Sequence, residues 1–150
     1  MNGAFVFPGL DDPHGWNSPA LLTAGIPATG AVSSARGLAG LYAAAATGLA
    51  GAPRLLARET VTEALRDAPS DAAWSGMPDF GMRWGVGFAR DSAVLPLLGP
   101  RSFGHAGSGG PLGFGDDEYG VGFGYVASEM VGYGDPRAGA LIAAVRESLG

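Results

Sequence analysis

The stretch of this sequence richest in chemical possibility is Leu98-Gly99-Pro100-Arg101-Ser102-Phe103-Gly104-His105-Ala106-Gly107-Ser108-Gly109-Gly110. It carries one of the two histidines of the chain. Histidine is the side chain whose charge changes close to neutral pH, so it suits acid–base work. The same stretch carries Ser108 within Ala106-Gly107-Ser108-Gly109-Gly110, a near variant of the Gly-x-Ser-x-Gly nucleophile elbow. An elbow needs a strand before the serine and a helix after it. Gly109-Gly110-Pro111 and then a second strand pattern follow Ser108, so an elbow is not expected. A further serine pattern is Ser33-Ser34-Ala35-Arg36. An arginine stays protonated and cannot take a proton from serine as a neutral lysine can. Ser33 or Ser34 is expected to cap a helix instead.

Composition removes several other chemistries. The chain has no Cys, which excludes disulfides, thiolate zinc sites and a cysteine nucleophile. All nine basic residues are Arg, so there is no Lys at all. The formal charge of −5 and the lack of a basic stripe argue against nucleic-acid binding. Asp116, Asp117 and Glu118 cluster, and so do Asp11, Asp12 and His14, but turn composition accounts for both groups. Gly113, Gly115, Gly120, Gly122 and Gly124 open no helix, so they form no phosphate loop. No metal and no cofactor is expected.

These residues need elements to hold them. Apolar residues make up 47% of the chain and charged ones 15%, which speaks against disorder even with 27 Gly and 11 Pro. Residues 1–31 read as irregular, with Phe5-Val6-Phe7 as a short strand. Leu38, Leu41, Tyr42 and Ala45 recur at helical spacing and predict a helix ending near Thr47-Gly48. Gly37 and Gly40 weaken that helix but allow a close neighbour. A second helix over Arg58–Leu65 presents Leu56, Val61 and Leu65, with a capping box from Thr60 to Glu63. Pro69 and Ser70 close it.

From residue 80 to 128 the pattern becomes short strands and tight Gly turns. Met82, Trp84, Val86 and Phe88 alternate on one face. Arg101–Gly107, Pro111–Phe114 and Tyr119–Ala127 are further strands, with Asp116–Gly120 as the last hairpin turn. Trp16, Trp74, Trp84 and the Phe residues read as core and cleft wall. Pro136–Leu149 predicts a closing helix with Leu141, Ile142, Val145 and Leu149 as its apolar stripe. The expected class is α+β. One partial domain spans 1–150: mainly helical and irregular over 1–79, antiparallel strands over 80–128 and a terminal helix over 136–149. The most apolar run, Leu38–Ala52, is too short to span a bilayer, and no leader is visible, which makes the cytoplasm the default location.

Phe103-Gly104-His105-Ala106-Gly107 with Gly109-Gly110, a strand, an acidic turn and Val121-Gly122-Phe123-Gly124-Tyr125-Val126 resembles the third motif of the β-lactamase-related serine hydrolases. That superfamily holds class C β-lactamases, D-alanyl-D-alanine carboxypeptidases and esterases. Ile26-Pro27-Ala28 and Ser34–Tyr42 resemble the helix after its active-site domain, and the last helix resembles its terminal helix. The resemblance implies the C-terminal part of the β-lactamase/transpeptidase-like fold, an antiparallel sheet with packed helices. It places His105 at the first position of a His-x-Gly triplet and Gly107 at the third. It makes the Ser108 amide an oxyanion donor.

The other two motifs of that superfamily, Ser-x-x-Lys and Tyr-x-Asn, do not occur in this sequence. The simplest reading is a chain that starts after both. Its start, Met1-Asn2-Gly3-Ala4, reads like the middle of a domain, and an in-frame Ser-x-x-Lys upstream would show it. The implied activity of the intact family is ester or amide hydrolysis through an acyl-serine. The chain alone is expected to be inactive. The other reading is a non-catalytic fragment that binds a small ligand or a partner, or associates with itself through an open sheet edge.

Overall fold

The computed structural model describes residues 15–27, 30–49, 53–68, 81–132 and 134–150. The chain divides into two compact units, Met1–Ser33 and Ser34–Gly150. In the first, one 3-10 turn at Gly15–Asn17 leads into a short helix, α1, Pro19–Thr23. The expectation of irregular chain over 1–31 is corrected here. Ser18 caps α1 by accepting the Leu21 N–H at 3.2 Å, and Pro19 suits the first helical position. Phe5-Val6-Phe7, Asp11, Asp12 and His14 lie outside the described residues.

The second unit is a four-stranded antiparallel sheet with helices on both faces, an α+β fold. Its elements are α2 (Ala35–Ala46), α3 (Arg58–Ala64), β1 (Ala89–Arg90), β2 (Ser102–Ala106), β3 (Leu112–Asp116), β4 (Val121–Tyr125) and α4 (Arg137–Leu149). The sheet order is β1-β2-β3-β4. Register pairs Phe103 with Gly115 and His105 with Gly113, and then Gly113 with Gly124 and Gly115 with Gly122.

Alternation along the strands makes two different faces. One carries Leu112 and Phe114 of β3, which cluster with Leu97, Leu98, Ala138 and Ile142 beneath α4. The other carries Gly113, Gly115, Gly122 and Gly124, and α2 lies on it. A Cβ at Gly122 would meet Ala43 Cβ at 2.6 Å and overlap the Ala39 carbonyl oxygen, and one at Gly124 would meet the Ala39 nitrogen at 2.7 Å. The glycines therefore form a smooth floor that lets a helix of small residues come within backbone contact. This floor, and not Gly40, is where close packing occurs. A Cβ at Gly40 would meet nothing within 4 Å.

Several local expectations are adjusted. Ser34, not Ser33, is the α2 N-cap, accepting the Gly37 N–H at 3.1 Å. Arg54 donates to the Ala46 carbonyl at the other end of α2. The α3 N-cap is Ala57 with no side-chain cap bond, so the Thr60–Glu63 box does not start that helix. Val61 and Leu65 do bury beside Phe103. The stretch from Met82 to Phe88 is not a continuous strand. It folds back through Gly87 at φ 83°, with a bridge between Trp84 and Ala89. Leu141 and Leu149 are exposed, so α4 buries Ala138 and Ile142, with Val145 packed beside them. Pro69, Ser70 and Trp74 lie outside the described residues, as does the Trp16 side chain. No described helix is long and apolar enough to cross a membrane.

Candidate active-site wall

Strand β2 is fixed before it reaches His105. The Ser102 hydroxyl, fully buried, donates to the Asp116 carboxylate at 2.6 Å and accepts the Leu98 and Gly99 amides, each at 3.2 Å. The other Asp116 oxygen accepts the amides of Glu118 and Tyr119 at 3.0 and 2.9 Å. Burial of that carboxylate is tolerable because each oxygen is hydrogen-bonded. Asp116 therefore locks the Leu98–Ser102 turn to the β3–β4 hairpin, and Asp117 pairs with Arg101. This overturns the view of the acidic run as simple solvated turn: two of its three carboxylates are structural. Among the described residues no three His, Asp or Glu side chains converge as metal ligands would.

Phe103 and His105 share the face that α2 packs on. Phe103 is fully buried there, in edge contact with Phe88 at 5.1 Å between ring centroids. His105 lies two residues further, past the cover of α2, and is exposed. β1 pairs only with Gly104 and Phe103, so the outer edge of β2 is open from His105 onward among the described residues. Beside His105 stands Trp84, with ring centroids 5.6 Å apart and planes inclined by 42°. Trp84, expected as core or cleft wall, is 40% exposed and so is not core.

The turn after β2 carries Gly107 and Ser108. The Gly107 amide donates to the Pro111 carbonyl at 2.7 Å, and the Gly110 amide to the Gly107 carbonyl at 3.3 Å. The Ser108 amide meets no acceptor among the described residues. Gly109 and Gly110 have φ of 86° and 108°, where an L side chain is strained. They are also crowded. A Cβ at Gly109 would meet Met130 Cγ at 2.8 Å, and one at Gly110 would overlap the Asp135 carboxylate. Gly107 differs: a Cβ there would meet only Pro111, at 3.6 Å.

A second segment braces this turn. The Val131 amide donates to the Gly109 carbonyl at 3.2 Å. Asp135 accepts Arg137 Nε at 2.9 Å and the Arg137 backbone amide at 3.0 Å, while Arg137 also donates to the Glu129 carbonyl. The Arg137 guanidinium holds the Asp135 carboxyl below the ordinary carboxylate range. It also sits 6.0 Å over the Tyr125 ring. Sequence reasoning missed Met130, Asp135 and Arg137. The available signal was Asp135-Pro136 before a helix, an Asp placed to accept the first helical amides.

The solved structures this chain is similar to are esterases of the β-lactamase-related serine hydrolase superfamily, and it corresponds to a fragment of them. Its fold matches EstA from Arthrobacter nitroguajacolicus Rue61a with a TM-score of 0.76 and 29% identity, covering 99% of this chain and 44% of that one. It matches a family VIII carboxylesterase with a TM-score of 0.63 and 34% identity, covering 77% of this chain and 31% of that one. The chain thus spans less than half the length of either esterase and forms a partial domain of that type. No family model matches it, and no curated protein matches it in sequence.

Proposed function

We propose that this chain supplies the third-motif wall of a serine hydrolase acting on a small ester or amide, with His105, Gly107 and the Ser108 amide as its working groups. The observation that carries the reading is one juxtaposition. An exposed histidine on the α2 face of the sheet is followed three residues later by an amide that meets no acceptor among the described residues. Gly107 adds to it. The packing of the chain leaves room for a side chain there, so glycine at this position serves something that lies against the strand from outside.

In the reaction, a serine oxygen from the part of the hydrolase that carries Ser-x-x-Lys attacks the substrate carbonyl. The carbonyl oxygen takes the negative charge and accepts the Ser108 N–H, a contact worth about 2.7–4 kcal/mol when such a donor is removed. His105 donates a hydrogen bond to the bound substrate or the leaving oxygen. The alcohol or amine departs with a proton, and water then cleaves the serine ester. This chain has no Lys and cannot activate a serine in that way. Alone it should neither hydrolyse p-nitrophenyl acetate or nitrocefin above a Ser108→Ala control nor react with a fluorophosphonate probe. Labelling of any serine would revive Ser108 as a nucleophile and refute the reading.

The positive test is a chimera in which this chain replaces the matched part of EstA. The chimera should hydrolyse esters, and His105→Ala in it should lower kcat/KM about ten-fold or more, the scale of a 1.4 kcal/mol contact. Full activity in that variant would remove His105 from the site. The alternative, a non-catalytic binding fragment, is favoured by the missing Lys, and a chimera that folds without activity would support it.

A further inference from the structure

We infer that the hollow beside Trp84 receives the uncharged arm of an ester substrate, so that Trp84 sets selectivity. The inference rests on the function proposed above and adds the substrate arm and its contact. The hollow holds about 250 Å³ and is lined by Asp67, Ala68, Met82, Arg83 and Trp84. Pockets for drug-sized ligands measure roughly 300–1,000 Å³, so this smaller space suits a single ring or a short alkyl chain. Trp84 joins it to the wall, because the residue lines the hollow and its indole leans on the His105 imidazole. A carbonyl held at His105 and Ser108 therefore has one substituent within reach of the indole.

The fold fixes Trp84 without burying it. Its carbonyl accepts the Ala68 amide at 2.7 Å, and its backbone bridges to Ala89, which pairs with Gly104 of β2. The next residue, Gly85, donates to the Phe88 carbonyl at 2.8 Å, and a Cβ there would overlap the Ala64 carbonyl oxygen. The local core is filled by Phe88, Phe103, Val61 and Leu65, not by the indole. A rigid aromatic plane left 40% exposed is a surface that binds with little ordering cost.

Charges at the rim are engaged with one another. Arg83 Nη2 bonds both Asp67 oxygens at 3.0 and 2.9 Å, and Nη1 bonds the Asp91 carbonyl at 3.2 Å. Asp67 also accepts Arg90 at 2.6 Å. With those charges paired, the uncharged residues of the lining are Ala68, Met82 and Trp84, hence an uncharged arm.

The test is an isotope-edited NMR titration of the whole chain with phenyl butyrate, with ester cleavage followed in parallel. The Trp84 indole N–H and the Met82 methyl signal should shift saturably. Trp84→Ala should weaken binding at least ten-fold, and Trp84→Phe should restore most of it. Ala68→Leu, which fills the hollow and keeps the indole, should block binding too, so the proposal stands or falls even where Trp84→Ala fails to fold. No shift at Trp84 up to the solubility limit, or unchanged affinity in both Trp84→Ala and Ala68→Leu, overturns it. Ten-fold tighter binding of phenylacetate overturns the uncharged assignment. Binding at Trp84 together with a chimera indifferent to His105 would refute the proposed function and leave the hollow standing. A chimera that needs His105, with no binding at Trp84, would refute this inference alone.

Discussion

Gly122→Ala tests the packing logic of the whole sheet. Gly122 has no positive φ, so alanine meets no backbone strain there. On propensity alone the change should be harmless, since glycine weakens a strand. The sheet geometry reverses that sign. The new Cβ would lie 2.6 Å from Ala43 Cβ and overlap backbone atoms of Ala39 and Ala43. Ordinary contact begins near 3.4 Å, so α2 must retreat by at least about 0.8 Å. That retreat would open the contacts made by Ala39, Tyr42 and Ala46 with β3 and β4 along the same helix. Overpacking of this kind costs about 1–3 kcal/mol. For a chain of this length each kcal/mol moves the melting temperature by roughly 2–4 °C. Thermal unfolding followed by circular dichroism should show a fall of about 2–12 °C. Gly40→Ala is the matched control on the helix itself, where open space lets helix propensity act, with a gain of about 1 kcal/mol. A Gly122→Ala protein melting at or above the wild type would refute the close-contact floor.

Three other outcomes follow from the same structure. Ser102→Ala should cost about 1–3 kcal/mol in a denaturant titration, because the buried Leu98 amide and Asp116 carboxylate both lose a partner; an unchanged midpoint would show that the pair does not lock the hairpin. The Asp135 carboxyl is held low by Arg137, so its contribution is present above the ordinary Asp value near 3.9 and is lost as pH falls through its lower folded value; the melting-temperature gap between wild type and Asp135→Asn should therefore narrow as pH drops below about 4, and a gap that widens contradicts the pairing. The outer edge of β4 has no neighbouring strand among the described residues, so the chain expressed alone should self-associate or bind a hydrophobic dye; a sharp monomer peak with a cooperative melt above roughly 60 °C would count against it.

The periodic parts of the fold were legible in the residues. Leu38, Tyr42 and Ala45 marked α2, and Gly-aromatic alternation marked β3 and β4, because one buried face imposes a period on each element. What was not legible depended on partners distant in sequence. Met82–Phe88 alternates as a strand should, yet Gly87 at φ 83° turns it back and the Trp84–Ala89 bridge closes it. Leu141 and Leu149 fit a helical stripe, but the surface beneath α4 is wide enough only for Ala138, Ile142 and Val145. The acidic run at 116–118 has turn composition, and only the fold brings Ser102 and Arg101 against it. For the candidate site, the glycine neighbours of His105 single it out in the sequence, and the strand it sits on was legible from the same pattern. The brace of Asp135 and Arg137 was not, because nothing in its own spacing points 25 residues back to Gly110.

The two faces of β2 explain why one strand holds both a fully buried Phe103 and an exposed His105. Its even positions, Ser102, Gly104 and Ala106, face the α4 side, where Leu112 and Phe114 also lie. Its odd positions face α2, and here the helix decides the outcome. Because α2 rests on the glycine floor of β3 and β4, it lies close to the sheet and to one side of it. Phe103 is still roofed by Tyr42, Phe88 and the α2–α3 residues, and it is fully buried. His105, one step along the same face, is exposed, with Trp84 beside it. Bulkier residues in place of Gly113 or Gly115 would lift α2 away from the sheet and loosen the roof over Phe103. The glycines of β3 and β4 thus seat a helix, while Gly109 and Gly110 after β2 serve a turn that Met130 and Asp135 crowd. On the α2 face of β2, His105 is the residue that this packing leaves exposed among the described residues.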